Sequence, residues 1–330
     1  MRKSSHIIQG VNIHVDCDRS LHLAISKIFD SLYRGEIRPA IKPIIFELSI
    51  VNEPPPVPAD TIRAIKFLDL TCYRNGKEIY FTLKDGSIIQ LDPISRKIKG
   101  LFKKEILNNL LGLFTLITAP FAELLKYQRL YSLHSAALYS NGVGYIFSGE
   151  SGSGKTTTSL SMVSEGFKYA SDDAVLLEEV NGDIIAHSLY KTFNIDRDLA
   201  EHFPDVVKEE DIPVKKGAKV SIDISKIFSD SFIPYLKPDV IIFPRITTDD
   251  KSQIYPISQT EVYMRLLKQT VLAVDKEVAK NQLKAIGKLV KQMQGFDLLS
   301  GRDVYENPKR IITLISEVND QNGNGKKDKV

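Results

Sequence analysis

Through the first third of the chain, hydrophobic and polar positions alternate in short runs, and the period lengthens to a helical one at two places. Ile7 to Val15 reads as a strand, and Ser20 to Leu32 has helical spacing behind Asp18 or Ser20 as N-cap. Pro43 to Val51 predicts a second strand. The run Asn52-Glu53-Pro54-Pro55-Pro56-Val57-Pro58 is incompatible with helix or central strand, and predicts an exposed, stiff connector. Asn75-Gly76 and Asp85-Gly86 then mark two hairpin turns among Phe67–Tyr73, Glu78–Leu83 and Ser87–Leu91. Residues 1–100 are thus expected to form a smaller α+β N-terminal domain for substrate capture or assembly. Lys103 to Arg129 predicts a helix, broken or kinked near Pro120, that connects the two halves.

From Leu130 the pattern returns to strands. Tyr131 to Tyr139 reads as one strand, Asn141-Gly142 as a tight turn, and Val143 to Ser148 as the next strand. A helix-like segment follows from Thr157 to Glu165. Later elements are a strand over Val220–Ile224, a strand over Val240–Phe243, helices over Thr260–Leu267 and Lys276–Met293, an edge strand at Phe296–Leu299, and a last helix from Asn307-Pro308 to Val318. Residues 319–330 are polar and rich in Gly and Asn, and are expected to be disordered.

Between Val143–Ser148 and the following helix stands Gly149-Glu150-Ser151-Gly152-Ser153-Gly154-Lys155-Thr156, a GxxxxGKT phosphate loop. Strand, loop and helix occur in the order the motif requires. Glycines let successive amides turn toward phosphate oxygens, and the helix start adds its positive dipole end. Gly149, Ser151, Gly152, Ser153, Gly154, Lys155, Thr156 and Thr157 are the candidate nucleotide-binding residues. Lys155 would reach the β- and γ-phosphates and Thr156 would ligand Mg²⁺. An antiparallel hairpin feeding this loop differs from the parallel βαβ entry of RecA- or Ras-type NTPases.

Ser171-Asp172-Asp173 follows soon after. Adjacent carboxylates at a strand end can divide labour, one on a metal and one taking a proton from an attacking hydroxyl. The strand Val240–Phe243 ends in Pro244-Arg245 rather than in an acid, so the metal-ligand expectation rests on Asp172 and Asp173. No LSGGQ-like signature is present, which argues against an ABC-type ATPase. Cations beyond Lys155 would help neutralise developing charge. Lys219, at the end of Lys215-Lys216-Gly217-Ala218-Lys219, is one candidate, with Lys191 and Arg245 as others; the alternative is a solvated basic loop.

Composition narrows the class. The chain has 330 residues, 43% hydrophobic content and a net charge of only +3, so nothing favours nucleic acid or a membrane surface as partner. Leu110 to Ala122, the most apolar stretch, is too short to span a bilayer. No uninterrupted apolar run follows the basic N-terminus. Cys17 and Cys72 are too few for a disulfide framework and suit a reducing cytoplasm, and His14, Cys17 and His22 read as ordinary strand and helix positions.

The run Leu133-His134-Ser135-Ala136-Ala137, then Gly149 to Thr156, then Gly166 and Ser171-Asp172-Asp173, resembles the core of the HPr kinase/phosphorylase family over about Leu130 to Leu177. The resemblance implies an α/β fold, a mixed-sheet P-loop core shared with phosphoenolpyruvate carboxykinase. It implies a kinase that moves the γ-phosphoryl group of ATP, with Mg²⁺, onto a serine hydroxyl, and assembly as a homo-oligomer. Asp172 would then be the general base, His134 would orient it, and Asp173 would complete the metal shell.

Two departures qualify it. Lys155 is followed by Thr156-Thr157-Thr158 rather than by Ser-Glu, and an arginine-glycine motif is missing after the aspartate pair. Both point away from HPr as substrate and from a reverse phosphorylase reaction. Related kinases of lasso-peptide precursors resemble the chain better, with an N-terminal domain ahead of such a core. The sequence reading is therefore a cytoplasmic serine kinase of a protein or peptide with residues 130–318 as its catalytic domain. The alternatives are a nucleotide-binding regulator or assembly factor that uses ATP as a switch, and a small-molecule kinase.

Overall fold

The computed structural model describes residues 1–35, 42–67, 69–208, 212, 218–306, 309–310 and 312–315. Two compact units emerge: Met1–Tyr131 with Leu272–Leu283, and Ser132–Val271 with the described residues from Lys284 onward. Both contain mixed sheets.

The first unit is built on eight strands: β1 (Arg2–Ile8), β2 (Val11–Cys17), β3 (Ile44–Ile50), β4 (Ile62–Phe67), β5 (Leu70–Asn75), β6 (Glu78–Thr82), β7 (Ile88–Asp92) and β8 (Lys97–Phe102). Their order is β1-β2-β3-β8-β7-β6-β5-β4, with β2–β3 and β3–β8 parallel and the other pairs antiparallel. Alternate residues Val11, Ile13, Val15 and Cys17 of β2 are buried, as a half-covered strand requires. Helix α1 (Arg19–Asp30) buries Leu21, Ile25, Ile28 and Phe29, and α2 (Leu110–Lys126) buries Leu113, Leu116, Ile117 and Phe121. Phe29 meets Phe46 and Phe121 edge-on, at 5.2 and 6.3 Å between centroids.

Several local expectations are corrected. The single strand at Ile7–Val15 is a hairpin, turned at Gln9 and Gly10 with φ of 51° and 73°. The strand expected at Phe67–Tyr73 is the end of β4 and most of β5. Asp18 precedes α1 but does not cap it with its side chain; its Oδ2 accepts the Ile50 amide at 2.6 Å instead. The helix expected from Lys103 begins as a 3-10 turn, and α2 starts after Asn109, whose side chain accepts from Gly112 N at 2.9 Å. Pro120 lies within α2, which continues to Lys126.

The second unit holds β9 (Tyr131–Leu133), β10 (Ser135–Ser140), β11 (Val143–Ser148), β12 (Lys168–Ser171), β13 (Val175–Val180) and β14 (Asp183–Ser188), counted from its boundary residue Tyr131. After these come β15 (Phe193–Asp196), β16 (Lys219–Ile222), β17 (Tyr235–Leu236), β18 (Val240–Ile246), β19 (Gln253–Ile257) and β20 (Gln294–Ser300). The main sheet runs β12-β10-β11-β18-β20-β19, with β11–β18 and β18–β20 parallel and the rest antiparallel. The antiparallel β10–β11 hairpin does feed the phosphate loop. Its helices are α3 (Lys155–Ser164), α4 (Arg197–His202), α5 (Gln259–Lys268), the part of α6 (Lys276–Gln292) from Lys284 onward, and α7 (Asp303–Glu306).

The strand expected over Tyr131–Tyr139 breaks at His134, whose amide donates to Gln269 O at 3.3 Å rather than joining a ladder. The strand expected at the edge over Phe296–Leu299 is interior: β20 sits between β18 and β19, and β19 takes the edge. Asn307, Pro308, Ile311 and residues 316–330, including the expected tail, lie outside the described residues, as do Lys215 and Lys216. Among the described residues no helix is long and apolar enough to cross a membrane.

Candidate active site

β11 carries the chain up to the loop. Gly144 lets it run against the Lys237 carbonyl, since a Cβ there would lie 2.0 Å from that oxygen. After Gly149 the backbone turns at Gly152 and Gly154, with φ of 80° and 96°, the left-handed region open to glycine. α3 starts at Lys155. Lys155 is 7% exposed, its side chain bent back over its own loop, and the ammonium donates to Gly149 O at 2.7 Å and Glu150 O at 3.0 Å. Burial holds its pKa below the usual lysine value, with Asp173 and Asp172 opposing.

Ser171-Asp172-Asp173 stands where β12 ends, and the two acids part company. Asp172 is 2% exposed, and its Oδ2 accepts from Thr156 Oγ1 at 3.1 Å while Oδ1 is buried without a hydrogen-bond partner. Burial, helped by the charge of Asp173, pushes its carboxyl up to about 7. Asp173 is half-exposed, with Oδ1 3.3 Å from His134 Nδ1. Burial, then the Lys155 charge, holds the His134 imidazole below its ordinary value, and Asp173 works against both.

These groups surround a cavity of about 240 Å³. Its wall includes Ser151, Gly152, Gly154, Lys155, Thr156 and Thr157 from the loop, together with His134, Asp173 and Lys219. Asn194, Asp196, Asp198, Leu199 and Ile246 complete it, and sequence reasoning missed all five. Asp196 carried a helix-start signal, for its Oδ1 accepts from Leu199 N at 3.0 Å ahead of α4. Its place opposite Lys219 comes from β15–β16 pairing, which has no local signature.

Other expected residues lie elsewhere. Gly149 and Ser153 support the loop from behind: the Gly149 carbonyl holds Lys155, and Ser153 N donates to Glu150 O at 3.2 Å. Lys191 places its ammonium 4.4 Å from the centre of the Phe232 ring, and its carbonyl accepts from Tyr169 Oη at 2.9 Å. Arg245 pairs with Asp297 at 3.0 Å. Neither lines the cavity.

The residues present fit a magnesium ion. Thr156 and the aspartates offer hard oxygen donors, and the buried Asp172 Oδ1 lacks the partner such a group normally has.

No protein-family model matches the chain. The curated HPr kinase/phosphorylase of Clostridium perfringens strain 13 is 38% identical over 63 residues, which is 19% of this chain and 20% of the relative. That of Clostridium tetani is 38% identical over 60 residues, 18% of this chain and 20% of the relative. The chain thus matches about a fifth of the length of these curated relatives. Among solved structures, the HPr(Ser) kinase/phosphatase from Coxiella burnetii superposes with a TM-score of 0.32 at 14% identity, covering 58% of this chain and 97% of that one. Over a matched stretch of 60 to 63 residues the chain is therefore HPr kinase-like.

Proposed function

We propose that the second unit is a kinase that transfers the γ-phosphoryl group of ATP to a serine hydroxyl of a protein or peptide, with a lasso-peptide precursor as the peptide case. The observation that carries this reading is the convergence on one cavity of Lys155, Thr156, Asp173 and His134, with Asp172 hydrogen-bonded behind Thr156. The phosphate loop amides and Lys155 would hold the β- and γ-phosphates in line with the acceptor. A bound Mg²⁺ would supply charge neutralisation at those phosphates. Thr156 and Asp172 would hold it.

His134 and Asp173 form the pair open to an entering hydroxyl. Asp173 would take its proton, and His134 would fix the carboxylate's direction. This reverses the division of labour implied by the family resemblance. The support is geometric: a base must touch the acceptor, and Asp173 lines the cavity whereas Asp172 is closed off by Thr156. Lys219, which lines the same cavity, would add positive charge. The first unit is proposed to capture the acceptor.

Mass spectrometry of serine-containing peptides incubated with the protein, ATP and Mg²⁺ tests the reading. A gain of one phosphate with the wild type and none with Lys155→Ala is the expected result. Tight nucleotide binding without phosphate transfer to any peptide would count against it.

A further inference from the structure

Behind the phosphate loop, a second polar cluster sits away from the cavity. Asp303, at the start of α7, is 7% exposed. Its carboxylate accepts the Ser252 amide at 3.0 and 2.9 Å and accepts the Ser252 hydroxyl, and Arg310 Nε lies 2.9 Å away as an ion-pair partner without hydrogen-bond geometry. A carboxylate buried this far is costly unless it is satisfied. Here it fixes the connection 247–252 between β18 and β19.

That connection is fastened along its length. Thr247 N donates to Ser300 O at 2.9 Å, Arg302 N to Asp249 O at 3.0 Å, and Gly301 N to Ser252 Oγ at 2.9 Å. Gly301 admits no side chain, because a Cβ would stand 2.8 Å from both Asp249 O and Lys251 C. The residue just before the connection is Ile246, which lines the cavity although it is 62% exposed. Its Cγ1 lies 3.3 Å from where a Cβ on Gly154 would be, so it sits directly on the phosphate loop. A second arm reaches the loop's helix: Ser161 Oγ of α3 donates to Val304 O at 3.1 Å, in a buried contact.

We propose that Asp303, ion-paired with Arg310, is a positioning residue for the nucleotide: it anchors the 247–252 connection and so sets Ile246 against the phosphate loop. The proposal rests on the reading of the cavity as a nucleotide site. Asp303 and Arg310 line no part of that cavity, so their effect is indirect and passes through Ile246.

The test is titration of the full-length protein with a fluorescent ATP analogue and Mg²⁺. Arg310 is 40% exposed at its side chain, so Arg310→Met is the variant that should keep the fold, verified by its thermal transition. It should weaken binding by about tenfold, the lower end for removal of a supporting partner. Arg310→Lys should recover part of the loss. Ile246→Ala should weaken binding similarly, and the double variant should be no weaker than Ile246→Ala alone, because both act through one contact.

Unchanged affinity in a folded Arg310→Met protein would overturn the proposal. So would a double variant whose loss is the product of the two single losses. Equal binding by wild type and Lys155→Ala would instead remove the nucleotide reading on which the proposal stands.

Discussion

Thr156 Oγ1 donates to Asp172 Oδ2 at 3.1 Å, joining the first turn of the phosphate-loop helix to the residue after β12. The bond places a buried carboxylate, with one oxygen unpartnered, behind the hydroxyl expected to meet a metal. Asp173, next in the chain, turns to His134 instead. Two adjacent acids thus have different surroundings, and different consequences when either is changed.

Asp172 should make the metal-free protein lose stability as pH rises. Its carboxyl titrates near 3.8 when unperturbed and is pushed up to about 7 in the fold, by burial first and by Asp173 second. Between these values the folded state keeps a proton that the unfolded chain has released. The contribution is therefore most favourable below the unfolded value, and it declines through about pH 7 with a limiting slope of roughly 1.4 kcal/mol per pH unit. Urea unfolding in EDTA across this range, compared with Asp172→Asn, reads the effect. Parallel curves for the two proteins would refute it.

Separating the two acids tests the proposed roles. Asp173→Asn should lower turnover by on the order of a hundredfold or more while leaving nucleotide affinity near wild type. Asp172→Asn should raise the Mg²⁺ concentration needed for half-maximal activity. Turnover titrated against Mg²⁺ at saturating ATP distinguishes them. If Asp172→Asn abolishes turnover at every Mg²⁺ concentration and Asp173→Asn does not, the original order of base and metal ligand is restored.

The phosphate loop was legible because its conformation depends on residues adjacent in sequence: glycines at positive φ, then lysine and threonine on a helix start. The meander turns at Gly76 and Gly86 were legible for the same reason, with φ of 56° and 91°. The turn at Gln9-Gly10 escaped because glutamine is not among the residues that advertise a left-handed conformation. Interior or edge position is a property of the whole sheet, so β20 was misplaced from its own residues. Asn194, Asp196 and Ile246 reach the cavity through β15–β16 pairing and the parallel β11–β18 alignment, contacts between segments far apart in the chain.

Gly144 should tolerate no side chain. A Cβ there would fall 2.0 Å from the Lys237 carbonyl oxygen and 3.0 Å from Leu236 Cδ1. The nearest atom is backbone, so relief requires displacing β11 or the 236–237 segment. Gly144→Ala should therefore destabilise the second unit by about 3 kcal/mol or more, well beyond the usual effect of adding one methyl group. Chemical denaturation followed by a probe in that unit measures it. A loss below about 1 kcal/mol would mean that the close approach relaxes cheaply.

Glu123 and Lys126 form a buried ion pair on α2, 2.8 Å apart, with side chains 4% and 3% exposed. Glu123 has a second task, because its Oε1 accepts the Val274 amide at 2.8 Å and so fastens the chain where it returns to the first unit. Removing only the lysine leaves an uncompensated carboxylate out of water, so Lys126→Met should cost about 3–5 kcal/mol. Removing only the carboxylate charge, in Glu123→Gln, strands the ammonium but keeps an acceptor for Val274, and should cost a similar amount. The double variant Glu123→Gln with Lys126→Met leaves no buried charge while the amide still accepts from Val274. It should be more stable than either single variant, giving a favourable coupling of at least about 3 kcal/mol in a double-mutant cycle. Urea denaturation of the four proteins gives that coupling directly. Simple additivity of the two losses would show that water reaches the pair and that its burial does not set its energy.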